Sequence, residues 1–253
     1  MKILIMGEGP TDVGYIDNQT GFVEGPVCVL LRHMLGKNSD HIEFVFTEKA
    51  DRKRDDKIRG KIRHRQRSLR TLHGQGKYAW WEKEKAIEEG ADVALFYCDA
   101  DREGGEDSRD RKNCKKRFDE VKKGIEDGFA AYEGENQVRT MAVVAVKMIE
   151  SWLMADPESF NKAFGKPKNS KSNRNMFPKN PELEWGAKNQ PQSNYPKNQI
   201  KRILDQYQQE PNRDTFRKLA EEANIDVLKE KCPISFSDFY NQVQKLKEEG
   251  MPN

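Results

Sequence analysis

The sequence predicts an α/β protein with a central, mainly parallel sheet flanked by helices, a basic helical insertion and a C-terminal helical extension. Short apolar runs rich in strand formers alternate with stretches of helical periodicity through residues 1–160. Acidic residues follow directly after these apolar runs, at the strand ends where ligands lie in open α/β sheets. A dense group of basic residues interrupts the alternation within residues 52–90.

The chain begins with a strand, a turn, a helix and a second strand. Residues 2–6 are apolar and end in a turn that contains two glycines and a proline. Apolar residues have helical spacing within residues 25–35, and residues 42–47 alternate as a strand does. This order predicts a β–α–β start. We expect Thr11 or Asp12 to cap the helix after the turn.

The apolar run at residues 93–98 ends in two acids, Asp99 and Asp101. Alternation along a strand puts both carboxylates on one face, where they repel each other unless a cation or a proton neutralises them. Mg²⁺ takes oxygen ligands of this kind together with substrate phosphate. A solvated acidic loop is the alternative. An EF-hand is excluded because a strand precedes the motif and Asp110 stands where the bidentate glutamate should be.

Two glutamates also follow predicted strands. Glu8 comes after the first strand, and Glu150 comes after the strand predicted at residues 138–146. If the strands are parallel, both glutamates lie at the same sheet edge as Asp99. For Glu8 the alternative is an acid that stabilises a helix N-terminus. Asp12 is interpreted as a helix cap rather than a ligand.

Basic residues crowd into residues 52–77, where the early acids are only Asp55 and Asp56. Such a segment is typical of binding to a nucleic-acid backbone, and a solvated helix is the alternative. Trp80 and Trp81 follow and could stack on bases, but core packing is the preferred interpretation. The candidate nucleic-acid contacts are Arg59, Arg63, Arg67, Arg70, Arg102 and Lys197.

Composition restricts the class of protein. Charged residues make up 34% of the chain and hydrophobic residues 35%, which indicates a modest core with long solvated segments. The four cysteines have no paired spacing, which argues against a zinc site and a disulfide framework. No apolar run reaches membrane-spanning length, so we expect a cytoplasmic protein without a membrane partner.

Three motifs together resemble the Toprim domain of topoisomerases, primases and OLD-type nucleases. The first is the Gly-Glu-Gly-Pro-Thr-Asp turn at residues 7–12, and the second is Asp-Ala-Asp-Arg-Glu-Gly at residues 99–104. The third, residues 149–156, is similar to small stand-alone Toprim-like proteins of bacterial defence and mobile-element loci, in the OLD-nuclease-like branch. The resemblance implies a Toprim-like catalytic domain at residues 1–160 that includes the basic insertion. A basic polar loop at 161–198 and a helical extension at 199–253 would follow it.

The resemblance also implies which residues act. The acids implied for catalysis are Glu8, Asp99, Asp101 and Glu150. The acids implied as ligands of Mg²⁺ or Mn²⁺ are Glu8, Asp99, Asp101, Glu103, Glu150 and Asp156. A cation assisting the transition state would be Arg102, Lys147 or Lys197, and nothing in the sequence chooses among the three. Asp156 precedes Pro157, so its alternative role is to end a helix.

The resulting hypothesis is a metal-dependent nuclease that cleaves phosphodiester bonds of DNA or RNA, as a defence effector. A separate ABC-type ATPase is a possible partner, because the chain has no Gly-x-x-x-x-Gly-Lys loop of its own. One alternative is a non-catalytic, metal-binding adaptor or effector subunit of an ATPase complex. Another is phosphoryl or nucleotidyl transfer on a nucleotide. Strand passage is not expected, because the chain has no room for the tyrosine-bearing gate domains of topoisomerases.

Overall fold

The computed structural model describes residues 1–7, 9, 11–36, 41–47, 71–72, 74–100, 111–132, 138–168 and 176–250. The strands are β1 (Lys2–Gly7), β2 (Gly14–Asp17), β3 (Gly21–Glu24), β4 (Glu43–Phe46), β5 (Val93–Asp99) and β6 (Arg139–Ala145). The helices are α1 (Pro26–Leu35), α2 (Gln75–Glu88), α3 (Arg111–Ala130), α4 (Ile149–Leu153), α5 (Pro157–Phe164), α6 (Pro196–Gln206), α7 (Arg213–Glu222), α8 (Ile225–Lys231) and α9 (Ser235–Glu248).

Four strands form a parallel sheet in the order β4–β1–β5–β6, which confirms the predicted α/β class. In its register Gly7 lies opposite Tyr97, and Asp99 lies opposite Ala145. The carboxyl ends of β1, β5 and β6 therefore meet at one edge. The long apolar runs of β5 and β6 are explained by burial on both faces, as is usual in a parallel sheet.

Alternating side chains of the sheet enter two hydrophobic clusters. Ile5, Leu95 and Tyr97 face α1 and the C-terminal helices. The intervening residues of the same strands, such as Met6 and Phe96, face α2 and α3. Trp80 and Trp81 belong to this second cluster, which confirms that they pack in the core.

Helices α2 and α3 approach each other closely because glycines stand at their contact. A side chain on Gly128 would lie 2.1 Å from the carbonyl oxygen of Gly76. One on Gly76 would lie 2.6 Å from the carbonyl oxygen of Gly124. Only residues without a side chain permit this spacing, and it brings both helices against one face of the sheet.

Trp152 joins the end of the sheet to the C-terminal helices. Its Nε1 donates a hydrogen bond to Ser235 Oγ at 2.8 Å. The indole stacks on Phe239 at 5.8 Å between centroids and meets the edges of Phe236 and Tyr97 at 5.3 Å and 6.1 Å. The C-terminal helices α6 to α9 therefore share one hydrophobic core with β5.

One local expectation was wrong. The turn after β1 leads into the β2–β3 hairpin, so neither Thr11 nor Asp12 caps a helix, and the N-cap of α1 is Gly25. The predicted loop at residues 161–198 contains a 3₁₀ turn at Pro181–Leu183 and the start of α6. Its buried Glu182 accepts hydrogen bonds from the backbone N–H groups at the start of α9, which explains why this segment packs closely.

All four cysteines are buried and free, in agreement with the prediction that there is no disulfide framework. Among the described residues, no helix combines the length and apolar character needed to span a membrane. The basic residues 52–70 lie outside the described residues, and of the predicted insertion the structure describes residues 71–72 and 74–90, which contain α2.

Candidate active site

The site is built around Asp99, the last residue of β5. Tyr97 precedes it by two positions and donates a hydrogen bond of 2.6 Å from its hydroxyl to Asp99 Oδ1. Tyr97 is fully buried, and burial raises its pKa well above the ordinary value of 10.0. The negative charges of Asp99, Asp12 and Glu150 raise it further. Three carboxylates therefore act on one buried hydroxyl.

Asp12 is held beside β5 by the turn that follows β1. Its backbone N–H donates to Gly9 O at 3.2 Å, and its carbonyl accepts from Val27 N–H at 3.0 Å, in the first turn of α1. Gly25 permits this contact, because a side chain there would lie 2.5 Å from Asp12 O. The interpretation of Asp12 as a helix cap is corrected, since its carboxylate contributes to the acidic edge.

Glu150 reaches the same edge from β6. The strand ends at Ala145, whose carbonyl accepts from Ala100 N–H at 2.8 Å, so the chain leaves β6 beside Asp99. Glu150 then lies in the first turn of α4, and only 5% of its surface is exposed. The predicted meeting of Asp99 and Glu150 at one sheet edge is thus found.

Within the described part of the chain, Lys197 is a cation that acts on these acids. It lies in the first turn of α6 and remains accessible to solvent. Partial burial of its ammonium lowers the pKa, but attraction to Glu150, Tyr195, Asp99 and Asp12 outweighs this effect, so the pKa is raised. Lys197 therefore stays protonated at neutral pH.

The other two candidate cations differ from Lys197. Lys147 is buried, and its ammonium lies 4.9 Å from the centroid of the Trp185 ring, a cation–π contact. Trp185 in turn packs edge-to-face on Tyr195 at 5.2 Å. Arg102 lies outside the described residues. Through Trp185 and Tyr195, Lys147 supports the segment that carries Lys197. The predicted loop ended at residue 198, but Pro196 at the first helical position could have indicated this helix start.

Asp156 has a structural role. Its Oδ1 accepts from Glu158 N–H at 3.0 Å, which caps α5, and its Oδ2 accepts from Asn224 N–H at 2.9 Å. The two carboxylate oxygens of Asp156 thus stabilise the starts of α5 and α8, which are far apart in sequence. We assign Asp156 as a cap and leave it out of the site.

Several predicted site residues lie outside the described residues: Glu8, Asp101, Arg102, Glu103, Arg59, Arg63, Arg67 and Arg70. The described residues alone contain no group of three or more His, Cys, Asp or Glu side chains placed to hold a metal ion. In sequence, Glu8 directly follows the last residue of β1 and Asp101 stands two residues after Asp99.

The donor type at this edge is that of a hard divalent cation site, but the described acids alone do not form a group that could hold such an ion. Asp12, Asp99 and Glu150 offer carboxylate oxygens, the ligands preferred by Mg²⁺ and Mn²⁺. Their negative charge adds to burial in raising the pKa of Tyr97, and it raises the pKa of Lys197. A divalent cation bound by such carboxylates would relieve the repulsion between them.

A family model described as Domain of unknown function (DUF4276) matches residues 29–244. The matched range contains Asp99, Glu150 and Lys197 but begins after the turn that carries Asp12. No curated protein and no solved structure matches the chain.

Proposed function

The chain belongs to the family described as Domain of unknown function (DUF4276), and from its acidic sheet edge we propose a Mg²⁺- or Mn²⁺-dependent nuclease that cleaves phosphodiester bonds of DNA or RNA. The observation that carries the proposal is that Asp99 at the end of β5, Glu150 after β6 and Asp12 in the turn after β1 all act electrostatically on Lys197. Acids and a cation at the carboxyl edge of a parallel sheet suit a phosphate ester that binds together with a metal ion.

In this proposal Glu8, Asp99 and Asp101 hold the cation, and Glu150 completes the site with Glu103. The cation, when bound, supplies Lewis-acid polarisation of the phosphoryl oxygen. The acids would also keep polyanions away from the edge unless a cation is present, which makes activity strictly dependent on divalent metal.

The chain's own side chains position the Asp99 carboxylate and offset the negative charge of the phosphate. Lys197 is held protonated by the acids around it, and its ammonium can offset negative charge that develops on the phosphate in the transition state. Tyr97 fixes one oxygen of Asp99 from inside the core, so this carboxylate does not depend on a flexible loop for its position. Asp12 adds negative charge that keeps Lys197 protonated.

The basic residues Arg59, Arg63, Arg67 and Arg70 are proposed to grip the nucleic-acid backbone. We also propose that the protein works in the cytoplasm as a defence effector with a separate ATPase subunit, since the chain has no phosphate-binding loop for ATP. The alternative, a non-catalytic adaptor, differs in one respect. It would need the bound metal ion but would not cleave phosphodiester bonds.

The test is cleavage of supercoiled plasmid, single-stranded DNA and tRNA with Mg²⁺, Mn²⁺ or EDTA. Asp99→Asn and Lys197→Gln should each lower the cleavage rate by about 10²-fold or more, because each removes charge from the reacting centre. The matched controls are Asp205→Asn and Lys201→Gln, which change exposed residues of the same helix α6. Lys197→Arg should retain more activity than Lys197→Gln.

Equal cutting by wild type and Asp99→Asn would show that contamination or another site does the cleavage. Absence of cutting by the wild-type protein with every metal and substrate, including in the presence of its ATPase partner, would instead favour the adaptor.

A further inference from the structure

A polar cleft of about 600 Å³ lies against α6, the helix that carries Lys197 in its first turn. Residues 176–180 and the loop before α6 form its walls, and α6 itself forms its floor. The side chains that matter for its chemistry are Phe177, Lys179, Asn180, Glu184, Gln199 and Arg202. The acid site does not use any of them.

Gln199 is the buried polar group of the cleft. Only 6% of its surface is exposed, and its Nε2 donates to Met176 O at 3.1 Å. Its Oε1 is buried and accepts no hydrogen bond from the described residues. A buried carbonyl oxygen without a donor is costly, so the arrangement calls for a ligand that brings an N–H group into the cleft.

A second acceptor stands near Gln199. Glu184 accepts a hydrogen bond from Asn194 Nδ2 at 2.8 Å, which orients its carboxylate at the wall of the cleft. A carboxylate and an amide oxygen suit a ligand edge that carries N–H donors. A free inorganic anion would be repelled by Glu184 and would leave Gln199 Oε1 unpaired.

The cleft also carries positive charge. Arg202 donates from Nη1 to Pro191 O at 2.5 Å and to Ser193 O at 2.8 Å, so its guanidinium is held in place. Lys179 is exposed at the rim. These two cations suit a phosphate group that lies next to the N–H-bearing part of the ligand.

Phe177 supplies an aromatic wall. Its ring is partly buried and is supported edge-to-face by Phe160 at 5.1 Å. Aromatic side chains bind unpaired bases by stacking, independently of sequence. The cleft therefore combines a stacking group, acceptors for N–H donors and cations for phosphate.

Helix α6 connects the cleft to the acid site. Lys197 faces the acids, whereas Gln199 and Arg202 line the cleft. With a rise of about 1.5 Å per residue, Arg202 lies about 8 Å along the axis from Lys197. At about 100° per residue, Gln199 and Arg202 lie on roughly the opposite side of α6 from Lys197, so one ligand reaches both only by passing around the start of the helix.

We propose that this cleft binds one unpaired base, with its adjoining phosphate, of a single-stranded nucleic-acid substrate. The inference rests on the proposed nuclease function and adds its substrate class. Unpaired bases expose the N–H groups of the Watson–Crick edge, which duplexes occupy in base pairs, and single strands are read by stacking and by contacts to this edge. Gln199 Oε1 and Glu184 accept from that edge, while Lys179 and Arg202 bind the phosphate.

The test measures binding separately from cleavage, by fluorescence anisotropy with Ca²⁺ in place of Mg²⁺. The probes are a labelled single strand of about 12 nucleotides, a fully abasic strand of the same length, and the duplex. Gln199→Met should weaken binding of the base-bearing strand about 3- to 10-fold and leave the abasic strand unchanged. Lys179→Ala should weaken binding of both the base-bearing and the abasic strand. Lys188→Ala, at an exposed position outside the cleft, should have a smaller effect on the binding of either strand.

Two outcomes would overturn the inference while leaving the nuclease in place. In one, wild type binds and cuts the strands but Gln199→Met has the same effect on base-bearing and abasic probes. In the other, duplex binds more tightly than single strand. If the wild type neither binds nor cuts any probe, the proposed function fails and the cleft proposal is overturned with it. Should Gln199→Met fold poorly by circular dichroism, Glu184→Ala decides, because loss of this second acceptor should weaken binding of the base-bearing strand relative to the abasic strand.

Discussion

The Tyr97 hydroxyl donates a 2.6 Å hydrogen bond to Asp99 Oδ1, and both residues belong to the same buried strand, β5. The tyrosine ring is held in turn by the edge of Trp152 at 6.1 Å. The position of the central carboxylate is thus set by the core of the protein. A carboxylate placed in this way loses little conformational entropy when it takes up a ligand.

Tyr97→Phe tests this positioning role. We expect the single-turnover cleavage rate to fall about 3- to 10-fold, because one hydrogen bond to Asp99 is lost while the ring is retained. The divalent-metal concentration needed for half-maximal rate should rise. The matched control is Tyr240→Phe, which removes a hydroxyl from α9. Unchanged rate and unchanged metal dependence in Tyr97→Phe would show that this hydrogen bond does not position Asp99.

The glycines between α2 and α3 give a prediction about stability. Gly128→Ala should lower the free energy of unfolding by about 1–3 kcal/mol, because the new methyl group would overlap the Gly76 carbonyl. Gly124→Ala should raise it by about 0.5–1 kcal/mol, because nothing lies within 4 Å of the added carbon and alanine favours the helix. Urea denaturation of both variants measures the difference. Shifts of the same sign in the two variants would contradict the close helix contact.

Glu182 gives a prediction about pH. Burial raises its pKa above the ordinary value of 4.5, although hydrogen bonds from Ser235 Oγ and from the Ile234 and Ser235 N–H groups act in the opposite direction. Between 4.5 and the raised value the folded protein binds more protons than the unfolded chain. The contribution of Glu182 to the free energy of unfolding therefore decreases as pH rises through this window.

Urea denaturation at a series of pH values from about 4 to 7 measures this contribution. Glu182→Gln should remove it, so the difference in unfolding free energy between wild type and variant should change across the window. Glu248→Gln, at an exposed position of α9, is the control and should leave the pH dependence as in wild type. A constant difference between wild type and Glu182→Gln would contradict the raised pKa.

Periodicity predicted the sheet well because β5 and β6 are buried on both faces and read as continuous apolar runs. The positions of Asp99 and Glu150 followed from the rule that ligands lie at the carboxyl ends of parallel strands. Asp12 was misinterpreted because the β2–β3 hairpin was not predicted. Its strands have four residues each and expose side chains such as Ile16, so they lack a clear alternating pattern.

The surroundings of Lys197 and Gln199 could not be predicted from local sequence. Glu182 stands in a polar stretch of the sequence, yet it is buried in the fold. Its hydrogen-bond partner Ser235 is 53 residues away along the chain, so the local sequence does not indicate this burial. Contacts of this range leave no periodic signal. The proline at the start of α6 is a local feature that could have indicated the helix, but it gives no information on what the helix faces.

The position of Trp152 has a consequence for synthesis of the protein. Tyr97 and Glu150 leave the ribosome well before Ser235 and Phe239, which hold the indole in place. Domains mature as the chain emerges, so the acidic edge cannot reach its final form until the last helix has been translated. If the protein has the proposed nuclease function, a nascent chain without α9 would stay inactive while it is tethered to the RNA of the ribosome.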